Sequence, residues 1–558
     1  MCDGISTSKY GKNCKINSQE LVKNAFDVYH KHFVIHLLRI LVRAQERKIR
    51  RKKSLTSPAA IAYFPCWMGE GVVTDVKNIC SFYTLSTMEF FIKHYENFDE
   101  RILQSLKSNG IEHRMKSNGG LWLGILVGLS AILTILKEDA SYSEICLIVG
   151  LTGIGLVISC ACLYLRLSTE KVAVRDFQAI YFLPAIVTSL LYLLIANKGL
   201  LVSVTWGLGV GSLGTWGVLQ LMSSFPSCFT IGEATAVMHG CILFLMSVVT
   251  NLPLRYHLPP IHDADIATVL LQVALLYIIS ICLICGYFPI FHSTKYFFTM
   301  TISLLVFVVL PLMYILLDQN PLIWMLYFIF SKTSKIMLIG YWVISSCLAF
   351  SAILYHVSLN LQATTTSRKI FHILAVLVYI PGLIYEPMLL YLASGIVMGL
   401  FVLLELMRFF RISILGEALQ QGFCVFVDEK DKLVSLTALY LLSGLSFPLW
   451  MPTNNLPLLA LLSGVLTIGI GDTAAGFVGS KWGTHKWTNS DKSLEGTIAC
   501  IFSQVGLILF LALTGFVDSG WLLLRSLLSS VVVSFVEAHT NQVDNLALPL
   551  LMYVCLTL

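Results

Sequence analysis

Ile145-Cys146-Leu147-Ile148-Val149-Gly150-Leu151-Thr152-Gly153-Ile154-Gly155-Leu156-Val157-Ile158-Ser159-Cys160-Ala161-Cys162-Leu163-Tyr164-Leu165 contains no charged side chain. About 20 consecutive apolar residues are what a helix needs to cross a bilayer. Lipid cannot satisfy the backbone of an open strand, so the stretch predicts a membrane-spanning helix. Comparable stretches lie near 117–136, 177–197, 199–222, 229–254, 266–290, 296–317 and 336–356. More follow near 370–385, 387–404, 433–450, 456–471, 496–517, 519–536 and 545–558, and a short apolar piece at 319–331 reads as a re-entrant or broken span. The expected fold class is an all-α polytopic integral membrane protein with roughly 15 transmembrane helices. Composition agrees: the 558 residues are 56% hydrophobic and 13% charged, against about 25% charged in soluble domains. A soluble globular protein, a disordered chain and a nucleic-acid binder are all excluded on that basis. Gly207, Gly209, Gly211 and Gly214 predict close helix packing. The 15 cysteines are scattered, many within apolar runs where a thiol behaves as a small hydrophobe. Cys282 and Cys285 lack a second pair to complete a zinc site.

Three regions differ in character. Residues 1–116 are mixed and charged, with a basic run from Arg43 to Lys53 that reads as a solvated helix face or a contact for anionic headgroups. Met1–Lys15 is polar and lacks the apolar core of a cleaved signal peptide. Residues 117–356 are a series of apolar spans, and 357–558 are spans carrying the expected catalytic part, separated by loops of two kinds. Short loops such as Tyr385-Glu386-Pro387 and Val517-Asp518-Ser519-Gly520 alternate with long charged ones around Arg368, Arg408–Lys432, Ser480–Lys492 and Glu537–Asp544. Two spans separate consecutive long loops, so all of these fall on one face. That face carries Arg368, Lys369, Arg408, Arg411, Lys430, Lys432, Lys481, Lys486 and Lys492, while the short loops carry no cation. By the positive-inside rule the long loops are cytosolic. Arg525, toward the opposite end of its span, is the one awkward cation.

The densest polar constellation runs from Gly469 through Gly471-Asp472-Thr473, Gly476, Gly479-Ser480-Lys481 and Gly483 to Trp487 and Lys492-Ser493-Leu494-Glu495-Gly496-Thr497. Glycines let a backbone approach a ligand closely, and a turn of free N–H groups cradles phosphate oxygens. A carboxylate at the end of an apolar span is costly unless paired or bound to a cation. Mg²⁺ typically takes one or two carboxylates plus substrate phosphates, and a lysine neutralises phosphoryl charge. The same residues also read as packing glycines, a capping Asp472 and a flanking Lys492. The conjunction of glycines, acid and lysine at one membrane boundary is what points to a phosphate site. No Gly-Lys-Ser/Thr follows at Walker A spacing.

This stretch closely resembles the signature of the dolichol kinase family, polytopic enzymes that phosphorylate dolichol with CTP. Arg368-Lys369-Ile370-Phe371-His372, Phe426–Asp431 with Tyr440-Leu441-Leu442, and Glu537–Pro549 resemble the same family. The resemblance is specific from about residue 360 onward; between 117 and 356 it rests on span density alone. It implies dolichol and CTP as substrates, Mg²⁺ or another divalent cation as cofactor, and a multi-pass protein of the endoplasmic reticulum membrane with site loops facing the cytosol. Nothing points to a protein partner. The implied catalytic residues are Asp472, Lys492 and Glu495. Gly471, Thr473, Gly476, Gly479, Ser480, Gly483, Ser493, Gly496 and Thr497 would bind the nucleotide, with Arg368, Lys369 and His372 as a second basic edge. Asp472, Glu537 and Asp544 are the implied metal ligands, and Asp472 alternatively accepts the dolichol proton. Trp487 either stacks on the base or anchors the span, and Asp428, Glu429 and Asp431 read as a solvated acidic loop. Rival readings are cytidylyl transfer to phosphatidate by the same fold, another polyprenol or lipid kinase, and a lipid transporter without catalysis.

Overall fold

The structure is a computed structural model. It describes residues 93–558 apart from 138–142, 170–181, 359–364, 414–415, 418, 421–432, 454–455, 488–489 and 518–519; at 137, 353, 356–358 and 365–368 it describes the backbone alone. The basic run at Arg43–Lys53 and the acidic residues Asp428, Glu429 and Asp431 lie outside the described residues. Regular structure among the described residues is helical, apart from an isolated antiparallel bridge between Lys486 and Ser493.

Eight described helices are long and apolar enough to cross a membrane, and six further apolar helices are shorter, at 10–17 residues. The expected span at 145–165 is Glu144–Thr169, and that at 296–317 is Thr294–Leu317. The segment expected at 456–471 is not one regular helix: a single turn at Leu458–Leu461 is followed by a wider π-helix, Val465–Asp472. Large apolar side chains point outward around the bundle, including Phe307, Tyr327, Leu348, Phe502 and Leu513. A surface of that kind is suited to lipid rather than water.

The helices that build the site are α1 (Leu121–Lys137), α2 (Glu144–Thr169), α3 (Ile231–His257), α4 (Asp263–Tyr287), α5 (Thr365–Tyr385), α6 (Pro387–Phe409), α7 (Thr437–Trp450), α8 (Thr473–Trp482), α9 (Leu494–Leu513), α10 (Trp521–His539) and α11 (Asp544–Thr557). The C-terminal α11 is central, packing against α1, α7, α10 and the π-helix. Close approach depends on missing side chains: a Cβ on Gly153 would stand 2.6 Å from the Gly128 carbonyl, so α1 and α2 meet backbone to backbone. Gly207, Gly211 and Gly214 serve the same purpose against Ala185 and Ser159, whereas Gly209 faces open space. Arg525 donates to the Leu556 carbonyl at 3.3 Å, at the C-terminal, negative end of α11.

The charged segment before the first span is not uniformly peripheral. A helix over 93–108 buries Ile102 and Leu106 fully, and Asp99 accepts a 2.9 Å hydrogen bond from the Gly119 N–H.

Candidate active site

The site assembles at the ends of α5, the π-helix, α9, α10 and α11. Lys369 and His372 are three residues apart on α5 and so share one face. The π-helix ends on Asp472, which is buried. The Lys369 ammonium pairs with Asp472 Oδ2, and His372 Nδ1 lies 3.3 Å from the same oxygen. Wide π-turns are rare and concentrate at functional sites.

A short loop leads from α8 into α9 and brings Lys492 to the same place. The Lys486–Ser493 bridge closes this loop, and Trp487 Nε1 donates to Thr497 Oγ1 at 3.0 Å. The Trp487 ring also packs on Phe535 and His539, so it pins the loop to α10. Ser493 is the N-cap of α9 and accepts from the Gly496 N–H at 3.2 Å. Lys492 Nζ then reaches across to α10 and α11. It donates to Glu537 Oε1 at 2.6 Å, to the Glu537 carbonyl at 2.8 Å and to Asp544 Oδ2 at 3.2 Å. Burial alone would lower the pKa of this ammonium, but the Asp544 and Glu537 carboxylates outweigh it and raise the pKa well above the ordinary lysine value.

One oxygen from each of Asp472, Glu537 and Asp544 falls within 4.8 Å of the others. Asp544 Oδ1 is buried without a hydrogen-bond partner. Three converging carboxylates, one holding an orphaned oxygen, fit a hard divalent cation.

The cluster opens into a cavity of about 1380 Å³. Lys369, Asp472, Lys492, Ser493, Glu537 and Asp544 line its polar part, while Phe371, Val378, Leu390, Phe401, Leu442 and Leu445 line the rest. Val378 lies nine residues beyond Lys369 on α5, about 14 Å further along the helix, so the cavity penetrates well past the charged cluster. The arrangement can hold an anionic, metal-bound group beside the polar end of a long apolar molecule.

The sequence-derived residues separate into groups. Asp472, Lys369, His372, Lys492, Glu537 and Asp544 converge as described, and Ser480, Gly476, Gly479, Gly496 and Thr497 line the same cavity. Gly471 and Gly483 do not line it. Gly471 packs on Gln504 and Cys500, and Gly483 on the Gly479 carbonyl and Ser493. Thr473 donates to the Ile468 carbonyl at 3.4 Å. The side chain of Arg368 lies outside the described residues. Glu495 stands apart: its carboxylate accepts from Thr484 Oγ1 at 2.7 Å and from the His485 backbone N–H at 3.1 Å on the exposed turn, and it lies 2.7 Å from His485 Nδ1.

The expected turn of free N–H groups over Gly471–Gly483 is corrected by the structure. Residues 465–482 are helical, so those N–H groups are committed to helix bonds, and the glycines instead admit neighbours. A Cβ at Gly476 would stand 2.8 Å from Lys369 Cε. Sequence reading missed Glu405, which also lines the cavity. It is held by Arg408 at 2.5 and 2.8 Å and accepts from the Ser435 N–H at 2.7 Å. The available signal was an acid inside the last turns of an apolar span.

Comparison with known proteins bears on part of the arrangement, Asp472, Lys492, Glu537 and Asp544 lying beyond the residues that the family model matches. The family model described as dolichol kinase matches residues 213–437. The match therefore reaches back into the segment where the sequence likeness rested on span density, and includes Lys369 and His372. Dolichol kinase EVAN of Arabidopsis thaliana is 31% identical over 408 residues, which are 65% of this chain and 71% of the plant protein. The chain belongs to the dolichol kinase family. Within this family, the human dolichol kinase is 34% identical over 361 residues, 60% of this chain and 66% of the human one. The Saccharomyces cerevisiae dolichol kinase is 29% identical over 245 residues, covering 42% and 45%. The chain thus spans about 66% of the length of the mammalian dolichol kinases it matches. No solved structure matches.

Proposed function

We propose that this chain is a CTP-dependent dolichol kinase: it transfers the γ-phosphoryl group of CTP to the dolichol hydroxyl, giving dolichyl phosphate for protein glycosylation. The proposed setting is the endoplasmic reticulum membrane, with the long loops and the site facing the cytosol. The observation that carries the reading is the single cavity that joins extended apolar walls to three carboxylates and two ammonium groups. A lipid alcohol lies along the apolar walls with its hydroxyl toward Asp472, and the triphosphate enters from the polar side.

Asp472, Glu537 and Asp544 are the residues that would hold a divalent cation. Such a cation, Mg²⁺ above all, neutralises phosphate charge when bound. Phosphoryl transfer relies on positioning and electrostatics more than on covalent help from the protein. Lys369 and Lys492 each face a carboxylate and present an ammonium to incoming phosphate oxygens. His372 packs its Nδ1 3.3 Å from the Asp472 carboxylate, one turn further along α5. In the transfer, the acceptor oxygen bonds to the γ-phosphorus while the bond from that phosphorus to the β–γ bridging oxygen breaks, releasing CDP. The hydroxyl proton passes to a carboxylate of the cluster. Glu495 takes no part in this scheme beyond fixing the loop that carries Lys492.

The test is incubation of the detergent-solubilised chain with dolichol and γ-³²P-labelled CTP, in parallel with labelled ATP. Label in the lipid with CTP preferred is the expected result. Label leaving as pyrophosphate would overturn the kinase reading in favour of cytidylyl transfer.

A further inference from the structure

Behind Asp544 lies a buried polar knot that the proposed reaction does not use. It joins the segment before the first span, the start of α3 and the loop between α10 and α11. Arg114 Nη2 donates to Glu233 Oε1 at 2.6 Å and to the Asn541 carbonyl at 3.4 Å. Glu233 is fully buried, and its Oε1 also accepts from the Val543 N–H at 2.9 Å. Its Oε2 accepts from the Thr230 N–H at 3.1 Å, completing a capping box at the start of α3. Gln542, also fully buried, accepts from Thr230 Oγ1 at 2.6 Å and donates to Asn118 Oδ1 at 2.6 Å. The backbone fits this knot closely: a Cβ on Gly120 would stand 2.3 Å from the Gln542 amide, and one on Gly232 1.9 Å from the Gly120 carbonyl.

Val543 is the N-cap residue of α11, and its side chain cannot cap. The first N–H groups of a helix have no partner within it. Here a carboxylate from another helix supplies one for the cap residue itself, immediately before Asp544. We propose that Glu233, held in place by Arg114, is a positioning residue for Asp544: it fixes the first turn of α11 so that the Asp544 carboxylate points into the cluster. The inference rests on the reading in which Asp544 helps hold a divalent cation. It also gives a role to Arg114, within a region whose sequence carried no recognisable chemistry.

The experiment measures Mn²⁺ binding to the purified full chain in detergent, without nucleotide, from the loss of the free-ion electron paramagnetic resonance signal. Glu233→Ala removes the acceptor, and Val543→Pro removes the donor N–H, at a φ of −73° that proline adopts, and puts its ring Cδ where that N–H pointed at Glu233. Both are expected to raise the Mn²⁺ dissociation constant about 10- to 100-fold, the usual effect of losing a partner behind a ligand. Glu233→Gln keeps an acceptor for Val543 while losing the ion pair to Arg114 and the bond from the Thr230 N–H, and is expected to bind Mn²⁺ at least several-fold more tightly than Glu233→Ala. A purely structural ion pair predicts instead that Glu233→Gln is as damaging as Glu233→Ala. Unchanged Mn²⁺ binding in Val543→Pro would overturn the proposal, as would equal losses in the two Glu233 variants. If Glu233→Ala does not accumulate, Val543→Pro and Glu233→Gln decide the matter. A wild-type chain that binds no Mn²⁺ would sink the cluster reading itself, and this inference with it.

Discussion

Replacing Asp472 by asparagine separates charge from shape at the centre of the site. The side chains are nearly isosteric, and Asp472 is buried, with Lys369 and His372 gathered on one of its oxygens. Removing one partner of a buried ion pair costs about 3–5 kcal/mol, mostly because the other charge is stranded. Lys369 keeps 19% of its side chain exposed, so solvent relieves part of that penalty and the lower end, about 3 kcal/mol, applies. Loss of a carboxylate that would hold the cation or take the acceptor proton costs a further factor of about 10²–10⁴ in turnover. The two effects come apart in the double variant Asp472→Asn/Lys369→Met, which removes the stranded ammonium as well. Thermal unfolding in detergent should show the single variant destabilised and the double variant largely recovered, because a buried pair exchanged for neutral groups is often nearly neutral. Transfer of label from γ-³²P CTP to dolichol should stay lost in both. Recovery of activity along with stability in the double variant would refute the argument, since Asp472 would then matter only as a counter-ion. Turnover of the single variant within tenfold of wild type would do the same.

Lys492→Met should lower kcat/KM by about 10²–10³-fold, the equivalent of one lost electrostatic donor, as read in the same lipid-labelling assay; a loss under tenfold assigns Lys492 to the loop rather than to phosphate. The carboxylates beside Lys492 raise its folded-state pKa above the ordinary 10.5, so its contribution is fully present below that value and fades only above it. The ratio of wild-type to Lys492→Met activity should therefore be flat between about pH 6 and 9. Gly476→Ala places a methyl 2.8 Å from Lys369 Cε. The flexible lysine can yield, so the variant should accumulate normally while losing activity several-fold, about 1 kcal/mol for a misplaced donor. Glu495→Gln alters an exposed, solvent-screened pairing with Thr484 and His485, so kcat/KM should fall less than about fivefold.

The extent to which the sequence foretold this arrangement follows from what is local and what is not. Spans such as 145–165 and 296–317 were legible because lipid demands an uninterrupted apolar stretch, a property of neighbours in sequence. The gathering of Asp472, Lys492, Glu537 and Asp544 is what the family resemblance implies, and the structure brings these residues together. Conformation at Gly471–Gly483 was misread because glycine suits both a free turn and a helix pressed against its neighbours, and only the packing of Ser493 and Lys369 distinguishes the two. The Lys369–Asp472 and Arg114–Glu233 pairs join residues more than 100 positions apart, with no local periodicity to mark them. Glu405 was overlooked for a related reason: the Arg408 that holds it read as a topology-setting cation rather than as half of a buried pair.

A chamber with greasy walls and an ionic floor lets two reactants meet without either leaving its own phase. On the proposed function, the donor is captured at its concentration in water, and the acceptor at its mole fraction in the bilayer. The rate on that reading responds to membrane composition and to the soluble nucleotide pool through separate surfaces of one protein. Diluting the membrane lipid starves the reaction of acceptor without touching the grip on the donor.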